Sequence, residues 1–283
     1  MTTVAIVSPG HMGAGLGWAL REGGARVVAT VRGRSERTRR LAEKAGIELL
    51  PSLFDVVAIA DVVLSVTPPG QAVAAAQTIA NAARESGAKP VVADLNAISP
   101  VTMATIAQQW AGLPVVDGSI SGPPPSVRPG ARIFLAGVRA ADVATLPWAG
   151  QIEPVVLGTG IGSASAVKMC TASVYKGLNG LVTQAIRVAA RHGVLDQVLA
   201  DLGGNGLDGS AGVAVAATKA HRYVAEMREI ATTQGDAGLT PALFEAFAAV
   251  YADVAGTALA AGDPESADRS IPPAEIARRL DSN

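Results

Sequence analysis

The chain is poor in cysteine: Cys170 stands alone in 283 residues. That excludes an intrachain disulfide framework and suits a reducing compartment. The thiol is open to two readings, a nucleophile or an inert buried group, and its apolar helical surroundings favour burial. Charge of one sign is missing too. Lysine and arginine number 23 against 24 acids, so the basic footprint of a nucleic-acid-binding protein is absent. Long hydrophobic runs are also lacking, since the most apolar stretch, Val56 to Val66, is broken by Asp61 and is too short to span a bilayer. Met1-Thr2-Thr3 leads directly into Val4–Val7 without the charged region or long apolar core of a secretion signal. These absences predict a soluble cytoplasmic protein that partners neither membrane nor nucleic acid. No metal site is expected.

What is present is a regular alternation. Val4–Val7 is a short continuous apolar run, as expected of a strand covered on both faces. A helix is predicted from about Met12 to Glu22, then a strand over Arg26–Val31 and a helix over Ser35–Ala45 with Ser35 as its cap. Strands at Val62–Val66, Val91–Asp94, Val115–Asp117, Ala131–Ala136 and Val155–Val156 follow, with helices at Gln71–Ser86 and Pro100–Gln109. The pattern predicts an α/β Rossmann-type domain, an open doubly wound and mostly parallel sheet, over residues 1–160. Beyond it no strand signal survives. Helical periodicity covers Ser163–His192, then about Leu195–Leu202, Ser210–Ala231, Pro241–Ala261 and Pro273–Leu280. Residues 161–283 therefore read as an all-α domain for substrate binding and dimerisation, joined through one long helix.

Ser8-Pro9-Gly10-His11-Met12-Gly13 lies between the first strand and the first helix. It matches the dinucleotide fingerprint G-x-G-x-x-G except for serine in place of the first glycine. Gly10 lets the backbone approach a pyrophosphate, Gly13 lets helix and strand pack closely, and the amides of His11 and Met12 receive the anion. An acid about twenty residues further on would select a free ribose 2′-hydroxyl. Here the second strand leads instead into Arg32-Gly33-Arg34-Ser35. Arg32 can stack on adenine and meet a 2′-phosphate, and Ser35 can donate to the same group, so NADP(H) is the expected cofactor.

With these residues the chain resembles the β-hydroxyacid dehydrogenase superfamily, which includes 6-phosphogluconate and 3-hydroxyisobutyrate dehydrogenases and the imine reductases. The resemblance is carried by Ser8–Gly13, Val66-Thr67-Pro68-Pro69, Asp94-Leu95-Asn96-Ala97-Ile98-Ser99-Pro100 and Asp117-Gly118-Ser119-Ile120-Ser121-Gly122-Pro123. The segments Ser163–Cys170, Tyr175-Lys176-Gly177 and His221–Ile230 are similar to a branch whose C-terminal domain is uncharacterised. The resemblance implies that Thr67 and Pro68 line the adenosine side and that Asn96 approaches the nicotinamide ribose. It implies that Ser121, Gly122 and Pro123 contact the polar end of the substrate, and that Lys168 holds the catalytic position. Two departures bear on the substrate. Ala172 stands where better-known members carry asparagine, and Pro123 ends a loop that is usually Ser-Gly-Gly.

Hydride transfer to a carbonyl or imine needs a proton at the heteroatom. A lysine that loses hydration in a cleft acquires a lower pKa and can supply or accept that proton. Helical geometry puts Tyr175 and Asn179 within about 20° of the direction of Lys168, so Tyr175 is a second candidate donor beside the substrate. Lys176 lies about 80° away and further along the axis, which suits a charge anchor for a cofactor phosphate or substrate carboxylate. Glu226 is a substrate-side candidate and also the i, i+4 neighbour of Arg222. The expected activity is an NADPH-dependent oxidoreductase acting on a small β-hydroxy or β-keto acid or a related carbonyl, working as a homodimer. An imine reductase of the same fold and an NADP(H) sensor without turnover are the alternatives.

Overall fold

The computed structural model describes residues 1–207 and 209–282. The chain runs β1 (Thr3–Val7), α1 (His11–Glu22), β2 (Arg26–Ala29), α2 (Glu36–Lys44), β3 (Glu48–Leu49), α3 (Leu53–Ala58), β4 (Val62–Ser65), α4 (Ala72–Ser86), β5 (Val91–Asp94), α5 (Pro100–Gln109), β6 (Val115–Ser121), β7 (Ala131–Ala136), α6 (Ala140–Ala144) and β8 (Ile152–Gly158). The long α7 (Ser163–Arg191) follows, and then α8 (Leu195–Gly204), α9 (Ser210–Ala217), α10 (Ala220–Asp236), α11 (Ala242–Ala255) and α12 (Pro273–Leu280). Two compact units divide within α7, Met1–Met169 and Cys170–Asn283.

Among the described residues of the first unit, eight strands form one sheet in the order β3-β2-β1-β4-β5-β6-β7-β8. Its apolar strands alternate faces, which explains their continuous runs. Val4 and Ile6 of β1, Val62 and Leu64 of β4, and Val91 and Ala93 of β5 join Leu16 and Leu20 of α1 in one layer. The opposite layer holds Ala5, Val63 and Val92 with Ile79 of α4 and Met103 and Ile106 of α5. Trp110 closes that layer, its indole N–H donating to the Ala76 carbonyl at 2.9 Å. Burial on both faces selects the parallel arrangement of β1 to β6. The exception is β6 with β7, which pair antiparallel with Ser121 opposite Arg132.

Sequence periodicity misses β3, α3 and α6, which are too short to develop a period. The pattern over Ser210–Ala231 is in fact two helices, α9 and α10, broken at Thr218–Lys219. There the Thr218 hydroxyl donates back to the Val215 carbonyl at 3.0 Å, a local bond that competes with helix continuation. In the second unit α10 packs on α11, burying Met227 and Ile230 of the former and Phe247, Tyr251 and Val254 of the latter. Gly180 of α7 admits the Phe247 ring, which would lie 2.7 Å from a methyl group at that position.

Candidate active site

The sheet order reverses at β1 and β4, both of which begin helical crossovers on opposite sides. In such sheets ligands bind beyond the carboxyl ends of the strands at this switch point. The loop after β1 is tightly built. Ser8 takes a left-handed φ of 69°, filling the place of the first fingerprint glycine at a local cost of about 1 kcal/mol. The amide of Gly10 donates to the Ser8 carbonyl at 2.8 Å. A methyl group on Gly13 would lie 2.6 Å from that same carbonyl oxygen, so only glycine fits there. Gly10 has open space beside its Cα and, as the cap of α1, offers no side chain to its first turn. His11 and Met12 begin the helix at this end, where the dipole favours an anion.

A cleft of about 560 Å³ opens beside this loop, lined by Ser8, Thr30, Arg32, Arg34, Thr78 and Asn81 among others. Its charged rim at the end of β2 is cationic, with no acid where a ribose 2′-hydroxyl would be read. Arg34, absent from the sequence-derived site, lines the cleft with Arg32. Its i+2 spacing from Arg32 across a turn is the signal that could have found it. Ser35 caps α2 as expected, its Oγ accepting from the Thr38 amide at 3.3 Å. Across the switch point, Thr67 is buried and its hydroxyl has no hydrogen-bond partner, followed by Pro68 at the entry to α4. An open glycine cradle, an uncapped helix end, two arginines and an orphaned hydroxyl fit a dinucleotide phosphate along this edge.

Asn96 is placed differently from the expectation that it faces a ribose. It is 2% exposed, and its Oδ1 accepts from the Thr67 amide at 2.5 Å. Its Nδ2 donates to Asp94 at 2.7 Å and to Ser65 at 3.2 Å. The side chain is a clip between the ends of β4 and β5 that sets the Thr67-Pro68 turn. Burial pushes the Asp94 carboxyl up to about 7 despite its bonds from Asn96.

The next strand end holds the lysine. Nζ of Lys168 donates to the Ile120 carbonyl at 2.7 Å, one residue before Ser121-Gly122-Pro123. Burial lowers the Lys168 pKa below that of an ordinary lysine. Gly122 takes φ 131°, and a methyl group there would meet the Ala131 Cα at 2.9 Å, so the loop can turn away from β7 only with glycine. The structure thus brings Lys168 to the Ser121–Pro123 loop.

In the second unit the remaining candidates separate. Half-buried Lys176 forms an ion pair with buried Glu226, and its ammonium sits 4.4 Å from the Tyr223 ring centroid. Tyr251 crosses Tyr223 edge-on at 5.2 Å and donates to the Lys176 carbonyl at 2.6 Å. The charge of Lys176 is balanced within the protein, which removes the geometric argument for a phosphate or carboxylate anchor. Glu226 likewise pairs across to α7, whereas sequence spacing suggested Arg222. Tyr175 is 68% exposed. Cys170 is exposed, a correction to its expected burial: it shares a helix face with exposed Val174, four residues on. Apolar neighbours in sequence do not make an apolar face.

Residues 3–147 match the NAD binding domain of 6-phosphogluconate dehydrogenase, and residues 189–254 match a domain of unknown function. An uncharacterised 28.5 kDa protein of Methanothermus fervidus is 27% identical over 175 residues, or 61% of this chain and 65% of that protein. The match thus spans less than two thirds of that relative. Among solved structures, a conserved protein of unknown function, described as structurally similar to 3-hydroxyacid dehydrogenases, is 26% identical with a TM-score of 0.65, covering 89% of this chain and 96% of that one. The 3-hydroxyisobutyrate dehydrogenase of Mycobacterium tuberculosis shares the fold over 100% of both chains at 19% identity and a TM-score of 0.64. The fold is therefore the hydroxyacid dehydrogenase fold, and the matched domain indicates a nicotinamide dinucleotide cofactor.

Proposed function

We propose, from the premise that the chain belongs to the family of the NAD binding domain of 6-phosphogluconate dehydrogenase, that it is an NADPH-dependent oxidoreductase. Its substrate is a small β-hydroxy or β-keto acid or a related carbonyl, and Lys168 is the general acid and base. The observation that carries the reading is the half-buried Lys168 ammonium at the Ile120 carbonyl, beside Ser121-Gly122-Pro123. The nicotinamide supplies or accepts the hydride when bound. The chain's own residues do the rest. Gly10, His11, Met12 and Gly13 hold the pyrophosphate, Thr67 and Pro68 border it, and Arg32, Arg34 and Ser35 hold the 2′-phosphate. Asn96 acts through the turn it clips. Ser121 and the backbone of Gly122 orient the polar end of the substrate, with Pro123 fixing the loop. Lys168, its pKa lowered by burial, gives its proton to the oxygen in reduction and takes it back in oxidation.

Residues 1–160 are assigned to the cofactor, and residues 161–283 to substrate and dimer contacts. The homodimer draws support from α7, where Val174, Leu178, Leu181 and Val188 are exposed at alternating four- and three-residue spacing that passes through Ala185. That is the seam of paired helices. The amphipathic α8, all of whose residues are described, has none buried.

The test is turnover of the purified protein with NADPH across β-keto acids, aldehydes and cyclic imines. Lys168→Met should keep NADPH binding and lower turnover by about a hundredfold or more; undiminished turnover would overturn the acid–base role. On the same protein, Arg32→Ala should weaken NADPH far more than NADH. Equal weakening would rule out the 2′-phosphate contact.

A further inference from the structure

We propose that Asp117 is the positioning residue for Lys168, locking the first turn of α7 onto β6 so that the ammonium arrives at the Ile120 carbonyl. The proposal rests on the reading of Lys168 as the proton-transfer group. The first amides of a helix lack intrahelical acceptors and are usually met by a local side chain. In α7 the acceptor comes from β6 instead. Oδ2 of Asp117 accepts from the Gly162 and Ala164 amides, each at 2.8 Å. Oδ1 accepts from the Ser165 hydroxyl at 2.7 Å and from its amide at 3.2 Å. A carboxylate here also complements the positive end of the helix dipole.

A second bond repeats the contact two residues along the strand. The Ser119 hydroxyl donates to the Ala164 carbonyl at 2.7 Å, and both side chains are buried. Residues i and i+2 of a strand face the same way, so Asp117 and Ser119 grip one turn of α7 between them. Lys168 lies four and three residues beyond Ala164 and Ser165, on the adjoining turn of the same side. A flexible lysine side chain reaches a fixed carbonyl only if its Cα is fixed. Here that Cα and the acceptor carbonyl are referred to the same strand, three residues apart.

The carboxyl groups at this edge are Asp117 on β6 and its in-register partner Asp94 on β5, and the first turn of α7 carries no acid. Loosening that turn therefore acts on Lys168 by admitting water.

The test uses full-length protein with its lysines reductively methylated with ¹³C, the Lys168 signal being assigned by its loss in Lys168→Met. In Asp117→Asn the Lys168 titration should move upward, toward that of an ordinary lysine. Turnover should fall between about tenfold and a hundredfold, with the KM for NADPH changed by less than about twofold and the lysine-dependent limb of the rate–pH profile moved to higher pH. Ser165→Ala keeps the carboxylate and removes one of its donors, so it should show a smaller shift of the same sign, and it decides the matter if Asp117→Asn does not fold. A lower melting temperature with an unmoved Lys168 titration would mean a merely structural cap and overturn the proposal. A downward shift would mean charge coupling without positioning and would also overturn it. If Lys168→Met leaves turnover intact, the proton-transfer reading fails, while the titration still decides whether Asp117 places the lysine.

Discussion

Asp94 is a carboxyl that the fold holds against ionisation. It is fully buried at the end of β5, and desolvation raises it to about 7, against about 3.9 in an unfolded chain. Between those values the native state keeps a proton that the unfolded state has released, so this group's contribution to stability declines as pH rises from about 4 to about 7 and is constant above. The difference in unfolding free energy between wild type and Asp94→Asn should follow that course. Urea titrations at several pH values measure it, and a difference that does not change with pH would show that Asp94 is ionised in the native state. At this scale, the turn glycines were readable from sequence. Gly13 is required because a methyl group there would meet the Ser8 carbonyl oxygen, and the place of Gly10 and Gly13 between strand and helix is what suggests their proposed phosphate role. Asn96 and Asp94 were less readable, because their bonds go to Ser65 and Thr67 on another strand.

The long helix shows the same division between local and distant causes. Its length follows from unbroken periodicity, and the expected Ser163–His192 ends within a residue of the observed α7. Neither its cap nor its central ion pair was legible. Asp117 precedes the Ser165 it binds by 48 residues, and Glu226 follows Lys176 by fifty. Removing one member of a buried pair strands the other charge, whereas replacing both can be nearly neutral. Lys176→Met should therefore destabilise the protein by about 3 kcal/mol, and Lys176→Met with Glu226→Leu should recover most of that loss. Chemical denaturation reads both. Equal losses in the single and double variants would show that the packing of the lysine stem, and not the pair, holds α7 to α10.

For the whole molecule, the exposed seam on α7 and the unburied α8 leave the second unit with apolar surface that a second copy is proposed to cover. Light scattering after gel filtration should give a dimer at micromolar concentration, and Leu181→Lys should shift it toward monomer without loss of helical circular dichroism. A monomeric wild type would remove the dimer from the proposed function. The sequence by itself determined the order of the longer strands and helices of the first half, the glycine turn after β1, the cationic turn after β2 and the change to an all-helical second half. These depend on local period, on missing side chains and on residues adjacent in the chain. Tertiary structure alone decided that β7 runs antiparallel to β6, that Lys176 is neutralised by Glu226 and that Cys170 faces outward. It also decided that Lys168 meets Ile120. Each of these depends on which surfaces meet when distant segments pack, and no local pattern in the chain encodes that.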